Sequence, residues 1–257
     1  MLEQFRAAKQ TEIKTLREQA RSKTLPDIYT GPRPSFALAL GRGNRGGVIA
    51  EYKPASPSQG VIRRDIRPRE MARIYHSGGA RAVSVLTETR YFQSSLSYLE
   101  EMAGVGLPLL RKDFLFDPLQ IRQTATTPAS ALLLIARMFE ARADALAALI
   151  EEAQHFGLET VVEIFDVSDL ALARGAEARI IQVNNRDLAS LKVDLDNSRT
   201  LIAGKRDHEV WIAASGFSRP AEVREMADLG FEACLIGTSI MRSPDPSRTL
   251  RELAGSG

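Results

Sequence analysis

The chain has 257 residues, 44% hydrophobic and 26% charged, with 34 basic and 32 acidic side chains leaving a formal net charge of +2. That length supports one large core, and α/β barrels of this size fold as a single domain. The dispersed, nearly balanced charge excludes a nucleic-acid tract or polybasic anchor, and no stretch approaches the ~18–20 apolar residues of a membrane span. The start, Met1-Leu2-Glu3-Gln4-Phe5-Arg6, is polar and amphipathic instead of apolar, so no secretion is expected. The sole cysteine, Cys234, lies in the apolar run Ala233-Cys234-Leu235-Ile236 and is expected to be a buried, inert thiol in a reducing cytoplasm.

In chain order, Leu2 to about Arg21 sets Leu2, Phe5, Ala8, Ile13, Leu16 and Ala20 among Lys, Arg and Glu, which predicts one amphipathic helix. Pro26, Gly31, Pro32 and Pro34 interrupt it, Phe36–Leu40 predicts a short second helix, and 41–47 is a glycine-rich connector. Residues 1–46 are thus expected to form a helical extension packed on a barrel domain that makes the whole chain, 1–257, one unit. Eight short aliphatic runs follow: Val48–Tyr52, Ala82–Leu86, Leu107–Arg111, Ala131–Ile135, Thr160–Ile164, Ile180–Asn184, Glu209–Ala213 and Ala233–Gly237. Between them, Ala143–Phe156 carries a Leu146, Leu149, Ile150, Ala153 stripe with Gly157 placed to end it. Asp117-Pro118 and Ser218-Arg219-Pro220 predict helix starts, each with a capping side chain ahead of a first-turn proline. Apolar strands alternating with helices imply a parallel sheet, and eight such units predict an α/β fold, the (β/α)8 TIM barrel with an additional N-terminal helical segment. An open doubly wound sheet is the alternative, disfavoured because no G-x-G-x-x-G follows an early strand.

Polar residues gather where these strands end, which in such a barrel is the rim that builds the site. They are Glu51, Lys53 and Ser56 after the first strand, Lys112, Asp113 and Phe114 after the third, and Glu163 in the fifth. Asn184, Asn185 and Arg186 follow the sixth, Ser215-Gly216 the seventh, and Gly237-Thr238-Ser239 the eighth. Glu51 and Lys53 share a face by period-two alternation. An acid and a base placed together at a strand end suit proton transfer and an anionic substrate better than packing. Glu51, Lys53, Lys112 and Glu163 form a mixed acid and base set, and a lysine among carboxylates stays charged, favouring general acid over Schiff-base nucleophile. Ser215-Gly216 and Gly237-Thr238-Ser239 stand where barrels of this kind cradle phosphate with backbone N–H groups and hydroxyls. His76, His155 and His208 have no spaced ligand partners, so no metal is expected. Trp211 reads as packing within a strand, and Arg63-Arg64-Asp65 as a solvated turn.

With these motifs in this order, the chain resembles the indole-3-glycerol phosphate synthase family of tryptophan biosynthesis over nearly its whole length. The resemblance rests on Ile49–Ser58, Ser84–Glu88, Tyr91-Phe92-Gln93, Leu110–Phe114 and Asp117–Ile121. It continues through Val162-Glu163-Ile164, Asn184–Leu188, Ser215-Gly216-Phe217 and Ile236–Arg242. It implies closure of an indole ring on 1-(2-carboxyphenylamino)-1-deoxyribulose 5-phosphate with loss of carbon dioxide and water, without metal or organic cofactor. It also implies that Lys112 is the general acid, that Glu163 and Lys53 serve later proton transfer and dehydration, and that Glu51 and Asn184 orient substrate and lysines. Ser56, Arg186, Ser215, Gly216, Gly237 and Thr238 match contacts to carboxylate, hydroxyl or phosphate, and Phe114 would pack on the anthranilate ring. The expected partner is that anionic sugar phosphate, with association with other tryptophan-pathway enzymes left open.

The pattern also breaks. The family's Glu-Ser-Gly after the seventh strand is Ala214-Ser215-Gly216 here, which is expected to make the mouth more positive and to depress a lysine pKa. Gln59 replaces a basic residue, 124–130 replaces an alanine and glycine turn, and Arg137-Met138 replaces smaller residues, with Arg137 expected near the aromatic ring or in a new anion contact. Three readings are compatible: a synthase lacking one carboxylate, a paralogue acting on a modified anthranilate, and a non-catalytic sugar-phosphate binder.

Overall fold

The computed structural model describes residues 2–41, 45–139, 142–187 and 191–255, so part of the predicted glycine-rich connector and Leu188 of the Asn184–Leu188 motif lie outside the described residues. Eight parallel strands close into a barrel: β1 Gly47–Tyr52, β2 Ala82–Leu86, β3 Leu109–Lys112, β4 Ala131–Ile135, β5 Glu159–Ile164, β6 Ile180–Asn184, β7 Val210–Ala214 and β8 Ala233–Ile236. Each pairs with its successor, and β8 returns to β1 through Gly47↔Ala233 to Ala50↔Ile236. Every residue of β1, β2, β4, β6, β7 and β8 is buried, because one face fills the barrel interior and the other lies under helices. Predicted and observed strand bounds agree within two residues. The largest offset is at β3, where Pro108 accepts a hydrogen bond from Val83 N–H but has none to donate, so the strand begins at Leu109.

The first helix, Leu2–Ser22, buries Phe5, Lys9, Ile13 and Leu16 along one stripe. Lys9 occupies an apolar position because its ammonium meets the Asp113 carboxylate at 2.9 Å. The short helix Phe36–Leu40 is as predicted; Ser35 Oγ accepts from Leu38 N–H, and the Glu159 carboxylate accepts from the N–H groups of Phe36 and Ala37. Glu159 opens β5, so this contact fastens the N-terminal segment to the end of the barrel opposite the strand tips.

Helix Pro118–Ala125 starts on Asp117 with a full capping box completed by Gln120. Helix Pro220–Leu229 also starts at the expected proline, but Ser218 is not its cap. Glu222, inside the first turn, accepts from the N–H groups of Ser218 and Arg219 instead. Helix Ala143–His155 ends at Phe156, and Gly157 takes the left-handed conformation at φ +69°. Among the described residues, no helix is long and apolar enough to cross a membrane.

Candidate active site

Glu51, near the end of β1, and Lys53, one residue beyond it, point to the same side, with Lys53 Nζ 2.9 Å from Glu51 Oε1. Lys112 closes β3 and reaches the same carboxylate from across the mouth, 3.7 Å from Oε2. One carboxylate thus lies between two ammonium groups. Burial alone would push the Glu51 carboxyl up, but Lys53 and Lys112 outweigh it and hold its pKa below the ordinary value. Burial and Arg186 act to lower Lys112; Glu51 and Glu163 outweigh them and raise its pKa above the ordinary lysine value. The depression expected from the missing carboxylate therefore does not extend to Lys112, because the two remaining carboxylates sit close to it.

Gly237 allows this arrangement. A Cβ there would lie 2.6 Å from Glu51 Oε1, so a side chain at the end of β8 would displace the carboxylate. At the end of β7, Ser215 and Gly216 both adopt positive φ, +71° and +99°, and a Cβ on Gly216 would lie 2.5 Å from Val193 Cγ1. Ser239 Oγ donates to Phe217 O at 2.9 Å, joining the loops after β7 and β8. Asn184, the last residue of β6, accepts from Arg186 N–H through Oδ1, and the Arg186 guanidinium donates to Leu191 O at 2.9 Å.

Lys112, Glu163, Lys53, Glu51, Asn184, Ser56, Phe114, Arg186, Ser215, Gly216, Gly237 and Thr238 all line one cavity of about 390 Å³ at the strand tips. That volume lies within the ~300–1,000 Å³ usual for small-molecule sites. Ala214 and Gln59 border it as well. Two other candidates face elsewhere. Asn185 holds Ser215 O through its amide and accepts from Ser198, so it braces the β7 loop without lining the cavity. Asp113 touches the cavity, but its carboxylate turns to Lys9, Thr87 and Arg111.

Other residues join that the sequence did not single out for the site. Phe5, from the first helix, stacks on Phe114 with ring centres 3.9 Å apart, and both line the cavity with Phe92, Leu133 and Ile135. Arg242 also lines it. The amphipathic stripe places Phe5 against the barrel, but nothing local says that it reaches the mouth.

Two expectations are corrected. Arg137 does not line the cavity, which removes it from the aromatic-ring position; the anion contact it makes is with the carboxylates of Asp166 and Asp169, its guanidinium 4.8 Å from the Phe165 ring centre and away from the mouth. Arg63 is not part of a merely solvated turn, because it donates to Ser243 O at 2.7 Å and ties the loop after β1 to the segment after β8. Among the described residues, no group of three or more His, Cys, Asp or Glu side chains could hold a metal ion.

A family model described as "Indole-3-glycerol phosphate synthase" matches residues 2–253. A protein of that name from Geobacillus thermodenitrificans is 39% identical, over 99% of this chain and 97% of its own length. The one from Aquifex aeolicus is 36% identical over 99% and 98%. Among solved structures, a 3-hexulose-6-phosphate synthase superposes with a TM-score of 0.63 at 16% identity, covering 82% of this chain and 99% of the other, a likeness of fold alone.

Proposed function

The chain belongs to the indole-3-glycerol phosphate synthase family, and on that premise we propose how its own residues close the indole ring of 1-(2-carboxyphenylamino)-1-deoxyribulose 5-phosphate. Ring closure joins the carboxyl-bearing ring carbon to the ketone carbon, and Lys112 gives its proton to the ketone oxygen as that bond forms. Departure of carbon dioxide returns its electron pair to the ring. Expelling the new hydroxyl as water then needs an acid at oxygen and a base for the remaining proton, and Lys53 and Glu163 supply that pair. Glu51 helps keep the Lys112 ammonium charged and places both ammonium groups, and Asn184 orients substrate beside them. Ser215, Gly216, Gly237 and Thr238 hold phosphate. Ser56 and Arg186 meet the carboxylate or sugar hydroxyls, and Phe114 packs on the anthranilate ring.

The observation that carries this reading is the Lys53–Glu51–Lys112 array, with its contacts of 2.9 and 3.7 Å. Such an array sets two ammonium groups on one carboxylate in the cavity wall and keeps Lys112 charged there. A second reading, turnover of a ring-modified anthranilate derivative, is favoured by Ala214 on the cavity wall and has lost the support of Arg137. Indole fluorescence after mixing protein with the carboxyphenylamino ribulose phosphate separates the two. The unsubstituted compound is expected to turn over; turnover only of ring-substituted analogues selects the second reading, and binding without turnover of either selects a non-catalytic barrel. Lys112→Ala is expected to lower kcat by ~10²–10⁴-fold while substrate still binds, and a near-normal rate would remove Lys112 from the acid role. We assign the protein to the cytoplasm, a reading supported by its buried, unpaired Cys234.

A further inference from the structure

Gln182 lies on β6 directly beside Glu163 of β5 in the strand register, and both side chains are buried. Its amide Nε2 donates to Glu163 Oε2 at 2.5 Å. The amide nitrogen is the donor and the carboxylate oxygen the acceptor, so the nitrogen end of the amide faces Glu163. The other end, Gln182 Oε1, is buried with no hydrogen-bond partner among the described residues. An amide used only to fill the barrel would cost less if apolar, so its orientation follows the need of the carboxylate and not its own satisfaction. Gln182 does not line the cavity, whereas Glu163 does.

We propose that Gln182 is a positioning residue for the ring-closing reaction: from inside the barrel it pins Oε2 of Glu163 and thereby aims Oε1 at the substrate. This rests on the reading of Glu163 as a proton-transfer group. A glutamate side chain has three rotatable bonds, and a carboxylate that accepts a proton within one turnover needs a single orientation before substrate arrives. The amide supplies that constraint from below, where it cannot obstruct the substrate.

The test is a double-mutant cycle on the full chain, using the carboxyphenylamino ribulose phosphate as probe. Gln182→Met keeps the volume and removes the donor, and it is expected to lower kcat by ~10- to 100-fold while KM moves less than ~2-fold. Introduced into Glu163→Gln, the same change is expected to cause little further loss. A kcat within twofold of the parent, or equal losses in both backgrounds, overturns the proposal. Gln182→Leu repeats the cycle if Gln182→Met does not fold; failure of both to fold shows a purely structural amide and overturns it too. Full activity of Glu163→Gln alone would instead remove the underlying role of Glu163, which separates the two failures.

Discussion

At the Glu51 carboxylate the two pKa shifts agree in direction: the acid is lowered and Lys112 is raised, as two partners holding one another charged require. A raised lysine keeps its proton as pH climbs through neutrality and beyond its ordinary value, so Lys112 contributes no loss of rate on the alkaline side until above 10.5. In Glu51→Gln the balance changes, because burial and Arg186 still act to lower Lys112 and only Glu163 opposes them. The alkaline limb of kcat in that variant is expected at lower pH than in the parent. A pH–rate profile with coincident alkaline limbs would show that Glu51 does not hold the proton on Lys112. The alternation of residues 51 and 53 made this pair legible in the sequence. The approach of Lys112 was legible only through the rule that strand tips share a rim.

At the scale of an element, the first helix does more than cover the barrel. Lys9 is 3% exposed and meets an Asp113 carboxylate that is fully buried, next to Lys112 at the end of β3. Phe5, one turn earlier, supplies part of the cavity wall. Lys9→Met would leave Asp113 buried with Thr87 Oγ1 at 2.6 Å, the Phe114 N–H at 2.8 Å and Arg111 at 3.4 Å as remaining partners. The expected loss of stability is therefore near the lower end of the ~3–5 kcal/mol that breaking a buried ion pair costs. Urea unfolding measures it, and a change below ~1 kcal/mol would show an exposed pair instead. The sequence predicted the helix from its apolar spacing, in which Lys9 was not singled out. Its partner stands 104 residues away, a relation no local pattern carries.

For the whole molecule, the end of the barrel away from the cavity is held by a second set of charges. Burial would push the Glu209 carboxyl up, but hydrogen bonds from Arg174, the Arg206 backbone N–H and the Trp211 indole bring it down to about 2. A carboxyl depressed from 4.5 contributes stability that is fully present above that value and lost as pH falls toward 2. Trp211 is the only tryptophan and is fully buried, so its fluorescence reports unfolding directly. Across that acid window Glu209→Gln is expected to lose less stability than the parent. Equal losses would place the acid sensitivity in other carboxylates.

The amino-acid order alone determined the eight strands, one full helix and two helix starts between them, and the rim residues, because hydrophobic period and cap chemistry act over neighbouring residues and a closed parallel barrel sends all strand tips to one end. Only the tertiary structure decided that Lys9 answers Asp113, that Gln182 grips Glu163, that Phe5 joins the cavity and that Arg137 turns away. Each of these depends on the direction of a long side chain between elements that become neighbours only once the barrel has closed. The free energy that selects each direction, an ion pair or hydrogen bond out of water, does not exist in the chain until then.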